Sequence, residues 1–313
     1  MIKGARLPIG WSRRDARQTK GQEPFRGAIE RGKGRPERRA LRRLLRNRPA
    51  MVGAVLIIGL AFISILAPVL APYTPTEVDL RAIYHGPSAK HVLGADALGR
   101  DILSRILYGT RTSLAIAVIG VAIALILGLL VGPLAGFYGG WLDRIAMRVM
   151  DVLAAFPTII LAIIVIAILG PSLRTTMLAI GISSVPTFAR LARASTLTLR
   201  NEEFVIAAAA LGATDLRILC THIVPNLLTS LIIQSTLRLS TMVLTAAGLS
   251  FIGLGVQPPN PELGTMMSEA REALQQAPHA IAFPGLVLML IVLGFNLFGD
   301  GLRDALDPQD FAS

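Results

Sequence analysis

The chain has 313 residues, of which 53% are hydrophobic and 16% are charged, whereas an average soluble chain has about 25% charged residues. Its formal net charge of +11 comes from the first 49 residues, which hold 16 of the 31 lysines and arginines and 4 of the 20 acids. The rest of the chain is close to neutral. This distribution excludes a nucleic-acid-binding domain and indicates a basic tail attached to an apolar body.

Three stretches of the chain carry no charge at all, at residues 49–76, 112–142 and 152–173. Each is longer than the roughly 20 residues that a helix needs to cross the hydrocarbon core. They do not alternate polar and apolar residues, so they predict helices rather than the strands of a barrel. The chain is therefore predicted to be an all-α integral membrane protein that crosses the bilayer several times.

The N-terminal part, residues 1–49, is predicted to be a basic cytoplasmic tail because positive charge favours that side of the membrane. Residues 1–36 have no apolar period and are predicted to be disordered. Near residues 37–48 the leucines fall on one helical face, which favours a short interfacial helix, although a solvated basic leader also fits.

Six spans are predicted, with both termini in the cytoplasm, and they form a membrane domain of residues 50–308 followed by a short cytoplasmic tail at 309–313. The fourth span is the weakest by hydropathy, but the arginines that follow it, among them Arg190 and Arg193, favour a cytoplasmic end. Approximate boundaries are 51–71, 113–135, 152–169, 175–189, 223–247 and 281–298. Residues 73–100 and 250–278 are then external.

The segment after the fourth span reads "AAAALGATDLRILCTHIVPN" at residues 207–226. Ala207 and Ala208 begin a helix of small side chains, and Gly212 can take the left-handed conformation that ends a helix. Asp215 can lie in the first turn of a second helix, where a negative charge is favoured, and Pro225 marks the entry into the membrane. These residues predict a compact helical knob that contacts a soluble partner, while a plain connector remains the alternative.

The spacing of Ala207, Ala208, Gly212 and Pro225 resembles the coupling loop of bacterial ABC import permeases. The wider chain resembles the dipeptide and oligopeptide group of that family, in its second-permease, or C-type, subunit. The resemblance covers residues 40–308 and is carried by four segments: "LGADALGRDILSRILYGTRTSL" (93–114), "GFYGGWLDRIAMRVMDVLAAFP" (136–157), "LSFIGLGVQPPNPELGTMM" (249–267) and "LGFNLFGDGLRDALDP" (293–308). One position departs from the family, since Ile206 stands where the first motif residue is often acidic or polar.

The resemblance implies a bacterial inner-membrane machine made of several chains. A second related permease, two ATP-hydrolysing subunits and an extracytoplasmic substrate-binding protein are expected as partners. In this family the coupling loop, here Ala207, Ala208, Gly212, Asp215 and Pro225, docks on an ATPase subunit. ATP and magnesium would be bound by those subunits, and this chain contains no GxxxxGK[ST] phosphate-binding motif. We therefore expect a translocation subunit that is not itself an enzyme.

Metal and disulfide chemistry is not expected of this chain. Cys220 is its single cysteine, and the four histidines show no metal-ligand spacing. An ion-driven secondary transporter is the alternative function, but such proteins place acids inside spans, and Asp143, Asp151 and Asp300 lie near predicted span ends. The substrate stays open among peptides, glutathione, nickel and oligosaccharides, with peptides favoured.

Arg238 is the one charge inside a predicted span. An arginine that faces lipid at this depth is costly, so it is expected to face the bundle interior, a partner permease or a water-filled cavity. One interpretation is a translocation pathway that favours anionic groups such as a peptide carboxylate. The alternatives are an ion pair with an acid of the partner permease, or a side chain that extends to the outer interface.

Overall fold

The computed structural model describes residues 42–306, and this part of the chain is helical with no β-strand. Residues 42–46 are helical; most of the predicted basic tail, including 37–41, and the tail at 309–313 lie outside the described residues. The helices are α1 (Arg48–Ile65), α2 (Ala67–Leu70), α3 (Ile102–Tyr138), α4 (Gly140–Ala154), α5 (Thr158–Leu169), α6 (Leu173–Leu199), α7 (Glu203–Ala210), α8 (Asp215–Ile218), α9 (Val224–Phe251), α10 (Leu263–Ala270) and α11 (His279–Leu306).

Four helices of the described chain are long and apolar enough to cross a membrane: α1, α3, α11 and the continuous 37-residue helix Asp215–Phe251 that contains α8 and α9. They coincide with the predicted spans at 51–71, 113–135, 281–298 and 223–247. The first predicted span is divided at Leu66, and Pro68 lies in the first turn of α2. The spanning helices α3, α8–α9 and α11 all extend beyond the apolar stretch that predicted them.

The prediction of one continuous helix at 152–169 was wrong, because parts of two helices lie within this range. Its first residues belong to α4, which ends at Ala154, and a new helix, α5, begins after Pro157. The two helices are bent by 90° at this break. Proline disfavours the helical conformation of the residue before it, so the chain turns at Phe156. At 12 residues, α5 alone measures about 18 Å, less than the hydrocarbon thickness of about 30 Å.

The predicted fourth span, 175–189, lies within α6, which is 27 residues long. By composition α6 is not apolar enough to join the four candidate spans. Much of its polarity is buried, since Thr175, Thr176, Ser183 and Ser184 are inaccessible to solvent. The weak hydropathy of α6 therefore reflects polar side chains that it turns toward neighbouring helices.

The most extensive helix pairing in the described chain joins α3 to α6 through glycines spaced four residues apart. Gly128, Gly132 and Gly136 of α3 face α6, and a Cβ atom on any of them would lie 2.4–2.9 Å from an atom of α6. Small residues at this spacing let two membrane helices approach closely. The signal is readable in the sequence, but the sequence analysis did not use it.

Residues 73–101, most of which the sequence predicts to be external, form a folded segment that packs on the start of α3. Asp101 caps α3 by accepting a hydrogen bond from the Ser104 backbone at 2.8 Å, and its other oxygen lies 3.0 Å from Nδ1 of buried His91. Gly99 has a φ of +71°, and a Cβ atom there would lie 1.8 Å from the Asp79 carbonyl oxygen. On the exposed side, the hydrogen bond from Lys90 lowers the pKa of Asp79.

A buried cluster of four charges joins this segment to α10. Arg100 and Arg105 each donate to Oε2 of Glu269 at 2.8 Å. Oδ2 of Asp96 accepts from Nε of Arg100 at 2.7 Å and lies 3.3 Å from Nε of Arg105. Arg105 is only 1% exposed. The two arginines and two carboxylates balance, and they connect parts of the chain more than 160 residues apart.

Candidate functional site

The predicted knob is present as two short helices, α7 and α8, between α6 and α9. Val205 of α7 is buried, and Ala208 packs against the hydrophobic core, whereas Ala207, Ala209 and Ala210 are exposed. One face of α7 is thus anchored to the bundle. At these three exposed alanines α7 carries methyl groups only, so another protein can approach the helix backbone closely there.

Gly212 ends α7 in the conformation that the sequence predicted, with a φ of +81°. The Gly212 backbone donates to the Ala209 carbonyl at 3.0 Å, and Ala213 donates to the Ala208 carbonyl at 3.1 Å. This pair of bonds is the Schellman motif, in which a left-handed residue satisfies the last carbonyls of a helix. A Cβ atom on Gly212 would meet nothing within 4 Å, so backbone conformation alone favours glycine here.

The second helix, α8, starts at Thr214, whose side chain accepts from the Arg217 backbone at 3.4 Å. Asp215 lies in the first turn, as predicted, and Ile218 is buried. The chain then continues without interruption through a π-helical turn, Leu219–Ile223, into α9. Pro225 lies in the first turn of α9, and proline, which lacks an N–H and clashes with the carbonyl four residues earlier, is a common cause of such local widening.

This continuity makes α8 a rigid extension of the spanning helix α9. Residues Asp215–Phe251 form one helix of 37 residues, about 55 Å long at 1.5 Å per residue. A displacement of α8 is therefore transmitted directly into α9.

Large apolar side chains are exposed on the knob, and the sequence analysis missed their significance. Leu211 is 88% exposed, Leu216 is 68% exposed and Ile206 is 57% exposed, with Phe204 beside them. Ile206, noted only as a departure from an acidic family position, contributes to this surface. Apolar side chains grouped on an exposed loop mark an interaction site. We call Phe204, Ile206, Leu211 and Leu216 the apolar knob.

Arg238 lies on α9, is half-buried and points toward α6. Its Nη2 donates to Oγ1 of Thr187 at 3.1 Å, and among the described residues it has no carboxylate partner. It borders a cavity of about 340 Å³ together with Ser184, Thr241 and Thr245. The guanidinium therefore lies next to polar side chains of two helices.

Arg238 also belongs to a row of polar residues along α9. The row follows a spacing of three or four residues, which places its members on one helical face: Asn226, Ser230, Gln234, Arg238, Thr241 and Thr245. None of the six is buried within this chain. At the opposite end from Thr245, the row borders a second cavity of about 600 Å³ that Arg303 of α11 also lines.

Of the acids considered for ion coupling, Asp143 and Asp151 are engaged in ion pairs, and Asp300 is exposed within the C-terminal part of α11. Arg193 donates to Oδ2 of Asp143 at 2.6 Å, and Arg190 donates to Asp151 at 2.8 Å. Glu262, which is fully buried, caps α10 and accepts from Ser113 at 2.8 Å. Among the described residues no group of three metal-ligating side chains occurs.

Comparisons with known proteins agree with this architecture. Residues 124–309 match the family model described as binding-protein-dependent transport system inner membrane component, and residues 36–87 match the N-terminal TM domain of oligopeptide transport permease C. The chain is 47% identical to the dipeptide transport system permease protein DppC of Alkalihalophilus pseudofirmus, covering 88% of this chain and 90% of the relative. It is 46% identical to the glutathione transport system permease protein GsiD of Pectobacterium atrosepticum, covering 88% and 91%.

Among solved structures, the inward-facing MetNI methionine ABC transporter matches with a TM-score of 0.55 and 20% identity, covering 66% of this chain and 98% of that one. At this identity the match supports the fold alone. The family models and the relatives together identify the chain as a membrane permease. The chain belongs to the binding-protein-dependent transport system inner membrane component family, and it is a permease subunit of an ABC importer.

Proposed function

We propose that this chain forms half of a peptide translocation pathway in the bacterial inner membrane and is driven by ATPase subunits that dock on the apolar knob. A second, related permease completes the pathway, two ATPase subunits bind ATP and magnesium, and an extracytoplasmic binding protein delivers the substrate. The chain itself is a translocation subunit without catalytic activity. The relatives that are named for dipeptide and glutathione transport support this assignment.

The proposed topology has six membrane crossings and both termini in the cytoplasm. The four long apolar helices supply four crossings, α6 supplies a fifth, and α5 together with the uncharged residues on either side of it supplies the sixth. The arginines at the end of α6 and the basic N-terminal residues favour the cytoplasmic side. On this topology the apolar knob faces the cytoplasm, where the ATPase subunits are.

The observation that carries the proposal is the exposed apolar knob, of which Leu216 lies on a rigid extension of α9. When ATP closes the ATPase pair, the docked knob moves, and α9 moves with it because the helix is continuous from Asp215. Closure and opening of the permease pair around the pathway then follow as a rigid-body transition between two states.

Leu211→Asp is expected to weaken docking of the ATPase subunits at least tenfold. Leu211 is the most exposed apolar side chain of the knob, and a carboxylate there must be desolvated against an apolar groove. The measurement is the amount of ATPase subunit that co-purifies with the permease pair in detergent.

Leu80→Asp is the matched control, since Leu80 is 69% exposed on the external segment and lies away from the knob. It is expected to leave co-purification unchanged. Undiminished ATPase recovery with Leu211→Asp would contradict the proposed docking surface.

Arg238 is proposed to face the pathway and to bind anionic groups of the substrate. It has no acidic partner in the described chain, it borders a cavity that hydroxyl side chains line in part, and its row of polar residues stays uncovered by this chain. Peptides and glutathione both carry carboxylates, with which a guanidinium forms strong bidentate hydrogen bonds.

Arg238→Gln is expected to reduce uptake of peptides with a free C-terminal carboxylate about tenfold more than uptake of the same peptides as C-terminal amides. A charge-assisted hydrogen bond contributes about 1.5–3 kcal/mol, which sets this scale. Competitive uptake of the paired peptides by the reconstituted transporter measures the ratio. An equal loss for both peptides would reject a role in selectivity.

A further inference from the structure

Helix α4 presents three different faces around its axis. Met150 is buried against Val185 and Ala189 of α6, and Met147 and Leu153 support that contact. A second face is apolar but exposed: Trp141 is 67% exposed, and Ile145, Val149 and Val152 are similarly accessible. Arg144 and Arg148, one turn apart, form the third face beside it. No part of the described chain covers the apolar or the basic face.

The position of α4 places it at a membrane surface. It starts directly after α3, a spanning helix that ends at Tyr138, and the turn between them uses Gly139 and Gly140, both with positive φ. Its axis is bent by 90° from α5. If α5 runs across the bilayer, α4 runs along its surface. An amphipathic helix with tryptophan and arginine on adjacent faces is typical of that location.

A charged groove of about 690 Å³ lies between the basic face of α4 and α6. Four arginines, Arg144, Arg148, Arg190 and Arg193, and two aspartates, Asp143 and Asp151, line it. Both aspartates are in ion pairs, Asp143 with Arg193 and Asp151 with Arg190. Within the described residues, Arg144 and Arg148 have no carboxylate partner. The groove therefore carries a net positive charge next to an apolar surface.

We propose that α4 and this groove form a binding site for an anionic phospholipid. The phosphate binds Arg144 and Arg148, and an acyl chain lies along Trp141, Ile145 and Val149. A groove with a net positive charge beside an exposed apolar face is complementary to the two parts of such a lipid, whereas a protein partner would need a surface that is acidic and apolar over the same short distance. The placement of α4 at the membrane surface and the assignment of the site to the cytoplasmic leaflet both rest on the topology given under the proposed function.

The test replaces Ile145 by the photocrosslinking residue p-benzoylphenylalanine in the assembled transporter. The complex is reconstituted in nanodiscs of phosphatidylcholine and phosphatidylglycerol at a 7:3 ratio, roughly the anionic content of a bacterial-type bilayer. After irradiation, mass spectrometry of this chain identifies what was attached. As a control, p-benzoylphenylalanine replaces Ile58 of α1, which is also apolar and exposed.

The expected product at position 145 is this chain with one phosphatidylglycerol attached. The ratio of phosphatidylglycerol to phosphatidylcholine crosslinks should exceed the ratio of the two lipids in the bilayer by at least about fivefold, because one arginine near an anionic surface contributes about that factor. The double variant Arg144→Gln, Arg148→Gln should give crosslinks at position 145 in the same ratio as the lipids of the bilayer. The same bilayer ratio is expected at position 58. The proposal would be overturned by a crosslink from position 145 to another protein chain. It would also be overturned if, with both arginines present, the two lipids were crosslinked in the same ratio as in the bilayer. The crosslinking readout does not require transport. Failure of the lipid-site proposal is therefore distinguishable from failure of the proposed function, which would be seen in uptake and ATPase coupling.

Discussion

Gly212→Val is expected to uncouple ATP hydrolysis from uptake, lowering transport at least tenfold while the transporter stays assembled in the membrane. Gly212 has a φ of +81°, a conformation that costs an L-residue roughly 1–2 kcal/mol and a β-branched residue more. Relief of this strain changes the angle between α7 and α8. The apolar knob, which depends on both helices, then no longer presents one surface. The measurement is uptake per ATP hydrolysed in proteoliposomes that contain the binding protein.

Gly253→Val is the matched control for this prediction. Gly253 has a φ of +84° and ends α9 with the same pair of backbone hydrogen bonds that Gly212 uses to end α7, and a Cβ atom on it, as on Gly212, would meet nothing within 4 Å. The two substitutions therefore introduce the same kind of backbone strain at different places, one at the C-terminal end of α9 and one in the knob. Gly253→Val is expected to lower stability slightly and to leave the coupling ratio intact. Normal coupling with Gly212→Val, or equal loss with both variants, would contradict a specific role for the knob.

Arg105→Ala, in the first turn of α3, is expected to cause a large loss of stability. Arg105 is 1% exposed and donates to Glu269, and its removal leaves the Asp96 and Glu269 carboxylates with one arginine fewer. Removal of one partner from a buried ion pair typically costs about 3–5 kcal/mol, because the remaining charge is buried without compensation. The expected result is a thermal unfolding midpoint lower by roughly 10 °C for the purified complex.

Two further variants separate charge from geometry in this cluster. Arg105→Lys keeps the charge but loses the planar guanidinium that reaches both carboxylates, so an intermediate loss is expected. Arg271→Ala is the control, since Arg271 is exposed and lies 3.8 Å from an equally exposed Glu272; surface pairs of this kind contribute about 0–1 kcal/mol. A midpoint for Arg105→Ala equal to that of Arg271→Ala would show that the buried cluster does not stabilise the fold.

The geometry of the knob was predictable because its signals are local. Gly212 after a run of alanines, and Asp215 after Thr214, are capping signals that act within one helical turn. The structure contains both turns where the sequence placed them. The exposure of Leu211 and Leu216 was not predictable in the same way. An apolar residue is covered or left open by distant parts of the chain, and in this protein no described part covers the knob.

The bend between α4 and α5 shows the opposite case. Hydropathy treats 152–169 as one apolar stretch, because it averages over a window and does not register the direction of the helix axis. Pro157 was visible in the sequence, but a proline can kink, end or begin a helix. Packing of Met150 on α6 holds α4 in place, and the chain must turn by 90° to continue into α5.

The sequence by itself determined the membrane character of the protein, its helical class, four of its spanning helices and its membership of a permease family. Composition and short motifs carry these properties, and both can be read without knowing which residues meet. Only the tertiary structure revealed the Asp96–Arg100–Arg105–Glu269 cluster, the contact of Arg238 with Thr187 and the uncovered faces of α4. Ion pairs and burial depend on side chains brought together from distant segments, and with one sequence nothing in the chain order indicates which of them will become neighbours.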